Sequence, residues 1–133
     1  TEVGGDEIPN LIDELPLVAV AGAMAPGTTA ICGAEELRVK ESDRIATTAT
    51  MLRAVGATVE ERPDGMVVTG GKIGGNVTID SHGDHRIAMC AAVLGLLGAG
   101  TVEVQNTACV ATSYPSFWSD LKRVCSGKSK ESA

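Results

Sequence analysis

Aromatic residues are nearly missing from this chain: Tyr114, Phe117 and Trp118 are its only three, all within five positions. The core must therefore be built from Val, Leu, Ile, Ala and Met, as in tightly packed α/β layers. Basic residues are outnumbered, 11 Lys and Arg against 17 Asp and Glu, for a formal charge of −6. That deficit argues against a nucleic-acid binder or a protein held to anionic membranes, both of which draw on surplus cations. It leaves room for a local basic pocket that takes a small anion. No apolar run is long enough for a membrane span, which needs about 20 residues; the longest, 87–99, reads as a buried helix. No secretory leader is expected from the opening residues. Cys32, Cys90, Cys109 and Cys125 form no C-x-x-C pair. Buried thiols in a reducing cytoplasm are the reading this supports.

What is present suits a folded domain. The chain has 133 residues and is 44% hydrophobic, enough to bury roughly two-thirds of its unfolded surface. The opening TEVGGDEIPN has no initiator Met, and we expect a piece cut from a longer protein. Residues 1–125 are expected to form the folded part and 126–133, within the polar SGKSKESA, a frayed tail.

Periodicity divides the chain into alternating elements. Residues 10–25 read as a helix with Pro16 in its first turn and Asp13 as a cap or pre-cap. GTTAIC (27–32) reads as a strand. Ile45, Ala49, Leu52 and Val55 share one face of a helix over 42–55, with Ser42 as N-cap and Gly56 just past its end. ATVEERPDGMVVTGG (57–71) is a hairpin turning at Pro63-Asp64-Gly65. NVTID (76–80) is a strand. Residues 84–97 form a helix apolar nearly all round and so enclosed on most sides. GTVEVQN (100–106) is a strand, and 114–124 a last helix with Pro115 in its first turn and Lys122 and Arg123 in its last. GAMAPGTTAI (22–31) is echoed by GLLGAGTVEV (95–104), which points to a repeated α/β unit. With about two copies, such a sheet has edges and faces that need a partner.

Three polar clusters stand where helices are expected to begin: NLIDELP (10–16), LRVKESDRI (37–45) and DSHGDHRIAM (80–89). Helix N-termini carry unpaired N–H groups and favour anions. If the three converge, Arg38, Lys40, Arg44 and Arg86 would supply full charges, and guanidinium forks match carboxylate and phosphate oxygens in pairs. Asp13 and Glu41 beside a bound anion would be repelled by it, so their presence needs a reason; general acid–base chemistry is one and helix capping another. Plainer readings stand beside these: Asp13 as a cap, Glu41 and Arg44 as an exposed i,i+3 pair, and Asp84 as an N-cap followed by a solvated His85 and Arg86. HGDH has the ligand spacing of some metal hydrolases. A metal site needs three or four ligands, yet His82 and His85 are the only histidines and Arg86 would repel a cation. The GGKIGG stretch (70–75) lacks the Ser or Thr and the following helix of a phosphate loop, and reads as a turn.

LRVKESDR (37–44), with LIDELP (11–16), DHRIAM (84–89) and ATSYPSFW (111–118), resembles the C-terminal part of the 5-enolpyruvylshikimate-3-phosphate (EPSP) synthase family, over residues 6–125 or so. The order of four motifs makes the resemblance specific. It implies part of the inside-out α/β barrel of the enolpyruvyl transferases, built from repeated βαβαββ units. It also implies transfer of an enolpyruvyl group from phosphoenolpyruvate to the 5-hydroxyl of shikimate 3-phosphate, without metal or organic cofactor, in the shikimate pathway to aromatic amino acids. The setting would be the cytoplasm, or the plastid in a plant.

By the same resemblance, Asp13 would take the proton from the attacking hydroxyl and Glu41 would protonate the methylene carbon. Lys40 would lie near both substrates, Arg44, His85 and Arg86 would hold phosphoenolpyruvate, and Glu36 would contact shikimate 3-phosphate. Thr112 stands where some members carry a Lys on phosphoenolpyruvate, which bears on sensitivity to glyphosate. The N-terminal domain that completes the family's site is a further implied partner, so the fragment is expected to be inactive alone. Two rival readings are a non-catalytic anion-binding or interaction domain, and the enolpyruvyl transferase that acts on UDP-N-acetylglucosamine.

Overall fold

The computed structural model describes residues 1–98 and 100–129, with side chains of the last helix described through 124. Two α/β units follow one another. In the first, β1 (Glu2–Val3) leads through α1 (Ile8–Leu11) and a 3-10 turn, Ile12–Glu14, into α2 (Leu15–Met24). The expected helix over 10–25 is thus broken, and only its second part is regular, with Pro16 in the first turn. There a missing N–H costs nothing. β2 (Thr28–Ile31), a 3-10 turn over Glu35–Val39, α3 (Arg44–Ala54), β3 (Thr58–Arg62) and β4 (Gly65–Thr69) complete the unit. Its four strands lie in the order β1-β2-β4-β3, with β1 parallel to β2 and the other pairs antiparallel. β1 and the 3-10 turns had no counterpart in the expected elements.

The α3 boundaries follow from backbone bonding. Its N-cap is Asp43, whose Oδ1 accepts from the Ala46 N–H at 3.1 Å. Ser42, the expected cap, instead gives its hydroxyl to Asp84. At the other end Gly56 takes φ +98°, the Gly56 N–H donates to Arg53 O and the Ala57 N–H to Leu52 O. This is the paired-bond glycine stop expected at that position. The β3–β4 hairpin turns at Pro63-Asp64, as its sequence indicates. β3 is the sheet edge, and only Val59 of its five residues is buried. Its charged Glu60, Glu61 and Arg62 keep that edge from pairing with other chains.

The second unit holds β5 (Val77–Asp80), α4 (His85–Leu97), β6 (Val102–Gln105), α5 (Ala108–Ser113) and α6 (Phe117–Ser129). β5 and β6 pair in parallel. The expected helix over 114–124 is displaced, because Tyr114 precedes Pro115 and is extended (φ −145°, ψ 75°). A residue before proline is pushed out of the helical region, so one short helix ends there and another starts at Phe117, beyond Pro115. α6 continues to Ser129; the expectation for 130–133 lies outside the described residues. α4 is buried on one face through Ile87, Ala91 and Leu94, but Leu96 and Leu97 are half exposed at its end, so it is less enclosed than its composition suggests. The two echoed segments are structural equivalents. A Cβ on Gly22 would stand 2.9 Å from Thr29, and one on Gly95 would stand 3.1 Å from Val102. In each unit the glycine lets the helix lie directly on its following strand.

The core joins Leu15, Ala19 and Val20 of α2 to Ile45 and Leu52 of α3 and to Ile87 and Leu94 of α4. Gly65 shows how closely the sheet is built, since a Cβ there would lie 1.9 Å from the Ile31 carbonyl oxygen. Gly65→Ala forces a main-chain shift between β2 and β4. Denaturant unfolding should show a loss above about 4 kcal/mol, the range of severe core disruptions; a loss under about 1 kcal/mol would contradict this packing.

Candidate functional site

The three polar clusters do meet. The 3-10 turn before α2 brings Asp13 and Glu14, the bend before α3 brings Lys40 and Glu41, and the start of α4 brings His85 and Arg86. Arg44, the first residue of α3, lies among them with its side chain only 1% exposed. Its Nε donates to Asp84 Oδ2 at 2.8 Å and its Nη2 to Asp84 Oδ1 at 3.1 Å. Nη1 donates to Asp13 at 3.1 Å, and Nη2 also reaches Glu41. Lys40 Nζ lies 3.7 Å from both Asp13 and Glu36. His85 Nδ1 lies 3.6 Å from Glu41.

Asp84 is fully buried and accepts from Ser42 Oγ, from both edges of the Arg44 fork and from the Arg86 N–H. It is the N-cap of α4 as expected, and it is also the buried counter-ion of Arg44. Spacing alone did not reveal that second role, because the two are 40 residues apart. Burial by itself would raise the Asp84 carboxyl; the hydrogen bonds from Arg44 and Ser42, and Arg44's charge, outweigh it and hold it below its ordinary 3.8. Asp13 caps no helix: the 3-10 turn Ile12–Glu14 places it on Arg44 and Lys40 instead.

Other expected members depart from the cluster. Arg38 turns to the hairpin, where it donates to the Pro63 and Arg62 carbonyls and pairs with Asp43 and Glu61. It is a structural clamp and supplies no charge to the pocket. Arg86 is paired at 2.8 Å with Glu14, a partner 72 residues away that spacing does not single out. His82 adopts φ +55° and lies beside Asp80, its Nδ1 4.0 Å from Oδ2. Thr112 is exposed on α5 and makes no side-chain hydrogen bond among the described residues.

A cavity of about 240 Å³ opens beside this cluster, lined by Asp13, Glu14 and Arg86 at one side and by Leu17, Met89 and Phe117 at the other. Cys90 also lines it, and burial pushes its thiol up to about 12, so it stays neutral. A larger cleft of about 610 Å³ lies between α4, β6 and α6, lined by Gly95, Val102, Trp118 and Leu121 among others, with no ionisable side chain. It offers surface rather than chemistry. Glu41, Asp84 and His85 place possible metal-ligand atoms within 4.8 Å of one another, but Arg44 already engages both carboxylates. The arrangement suits a small anion next to carboxyl groups able to move protons.

The ion pair makes stability depend on acidity. Asp84's carboxyl is depressed in the fold, so its contribution is complete above the unfolded value near 4 and fades as pH falls through the lower folded value. Asp84→Asn should cost up to about 3–5 kcal/mol at pH 7, as when one partner of a buried pair is lost. Urea unfolding at pH 7, 4 and 2.5 should show the gap between parent and variant narrowing with acidity; a constant gap would contradict the assignment.

Comparison with known proteins bears on the family and the fold. Residues 2–121 match the family model described as EPSP synthase (3-phosphoshikimate 1-carboxyvinyltransferase). A 3-phosphoshikimate 1-carboxyvinyltransferase of Geobacter sulfurreducens is 53% identical over 92% of this chain and 29% of its own length. One from Pelotomaculum thermopropionicum is 55% identical over 91% of this chain and 28% of its own length. The solved EPSP synthase of Acinetobacter baumannii superposes with a TM-score of 0.83 at 40% identity, covering 88% of this chain and 28% of that one. The chain thus spans under a third of its relatives, as a partial domain of the enolpyruvyl transferase fold. Its matched residues, its fold and its likeness to these proteins place it in the EPSP synthase family.

Proposed function

We propose that this chain is the C-terminal part of a 3-phosphoshikimate 1-carboxyvinyltransferase and carries the proton-handling half of its active site. The observation that carries the reading is the meeting of Asp13, Lys40, Glu41, Arg44 and His85 from three separate segments. Phosphoenolpyruvate would lie against Arg44, Arg86 and His85, with Lys40 between it and shikimate 3-phosphate. Asp13 takes the proton of the 5-hydroxyl as its oxygen bonds to C2 of phosphoenolpyruvate, and Glu41 delivers a proton to the methylene carbon. Loss of that methyl proton and of inorganic phosphate then gives the enol ether. A carboxylate beside the oxocarbenium-like carbon lowers the barrier, and each placed proton donor contributes about 10²–10⁴-fold. Glu36 and Thr112 are the outer contacts of this reading, to shikimate 3-phosphate and phosphoenolpyruvate respectively.

Arg86 must exchange Glu14 for the ligand. That pair is exposed, and exposed pairs are worth only about 0–1 kcal/mol, so a dianion displaces it at small cost. The remaining substrate contacts would come from the rest of the enzyme. The second unit supports this: among the described residues β6 pairs only with β5, whereas its counterpart β2 carries the β4–β3 hairpin on its far side. Trp118 and Leu121 line the open cleft there, a place for apolar residues of the missing part. The reading places the enzyme in the cytoplasm, with a plastid as the setting in a plant.

Joining this chain to the missing portion of the Geobacter relative should give an enzyme that releases phosphate from phosphoenolpyruvate only when shikimate 3-phosphate is present. In it, Glu41→Gln should lower kcat about 10²–10⁴-fold with under threefold change in phosphoenolpyruvate affinity. A folded chimera without turnover, or equal loss of affinity and rate on Glu41→Gln, would refute the assignment.

A further inference from the structure

Resting on that reading, we propose that Asp84 is a positioning residue for the anion site, acting through Arg44 and through the start of α4. Asp84 is wholly enclosed and cannot touch a ligand. Its two oxygens nevertheless accept four hydrogen bonds, from Ser42, from Arg44 twice and from the Arg86 backbone. Capping α4 requires only one acceptor, which Ser, Thr or Asn would also supply. The fork on Arg44 requires a carboxylate, since only two equivalent acceptor oxygens match the Nε and Nη2 donors together.

Of the five N–H donors of a guanidinium, Asp84 takes two on the inner edge. The other three are left on the side of Asp13 and Glu41, where Nη1 and Nη2 already meet these carboxylates. Arg44 therefore presents a fixed outer edge instead of sweeping rotamers. The same carboxylate holds the first turn of α4, so the bases of Arg44 and Arg86 are tied through one group. Ser42 completes the device by fixing the oxygen that receives Nε, and its hydroxyl also lies 3.3 Å from Thr47 on α3.

Two readouts separate failure of this proposal from failure of the functional reading. In the chain by itself, the Arg44 Nε–H resonance should move and lose exchange protection on Asp84→Asn while the amide spectrum stays that of a folded protein. An unmoved signal overturns the positioning role. In the chimera, Asp84→Asn should raise KM for phosphoenolpyruvate about 10–100-fold, the scale of a misplaced contact, with under fivefold change in kcat. In an Arg44→Gln background the same substitution should add less than twofold. An unchanged KM, or losses that multiply fully, would overturn it. If Asp84→Asn does not fold, Ser42→Ala keeps the fork and should raise that KM about two- to fivefold, and no rise would overturn the proposal. A parent chimera without turnover refutes the functional reading and the anion part of this one together, whatever the Arg44 resonance does.

Discussion

The buried pair between Arg44 and Asp84 is the constraint around which the polar half of this molecule is arranged. A guanidinium removed from water costs several kcal/mol unless every donor is met. Here the inner edge is met by Asp84 and the outer by Asp13 and Glu41. The first helix turn of α3, the first turn of α4 and the turn before α2 must all be in place for that to hold. Solvation chemistry, more than any single apolar contact, thus fixes how these three segments face one another. The apolar core beneath, from Leu15, Ile45 and Ile87, supplies the bulk of the driving force but is indifferent to where the charges go.

On the functional proposal, an acidic protein hosts an anion site by concentrating its cations and screening them from one another. Lys40, Arg44 and Arg86 each stand beside a carboxylate. The partners differ in permanence. Asp84 is enclosed and stays with Arg44; Glu14 and Glu41 are half exposed and can yield. Ligand entry on the proposed reading is an exchange of acids at the outer positions around an unchanging inner pair. On that reading the carboxyl groups that would move protons remain accessible, while Asp84 is sealed away.

Much of the fold was legible in the sequence because its signals are local. The hairpin declares itself in Pro63-Asp64-Gly65, the α3 stop in Gly56, and the α4 cap in Asp84. The echo of 22–31 in 95–104 also has a structural counterpart, with Gly22 and Gly95 each admitting a strand. Elements that depend on remote contacts were not legible. β1 exists only by pairing with β2, and the break before α2 lets Asp13 reach Arg44. Ser42 and Asp43 are equally good caps by type; Asp84, distant in sequence, claims Ser42's hydroxyl. Arg38 was indistinguishable from Lys40 and Arg44 by charge, and only the hairpin carbonyls draw it away.

The two units also show why the site needs more than this chain under the functional proposal. In the first, β2 is enclosed by β1 on one side and β4 on the other, so Ile31 is sealed. In the second, β6 offers the same helix-on-strand platform, with Gly95 under Val102, but Val102 and Val104 remain partly exposed next to Leu96, Trp118 and Leu121. Equivalent backbones with unequal burial mean that the difference lies in what covers them. An apolar strand face of this kind is stabilised by a second layer. The polar cluster around Arg44 sits where the first unit meets the start of α4. Geometry at Arg44 is thus set within this chain, and under the functional proposal closure over a ligand falls to the remainder of the enzyme.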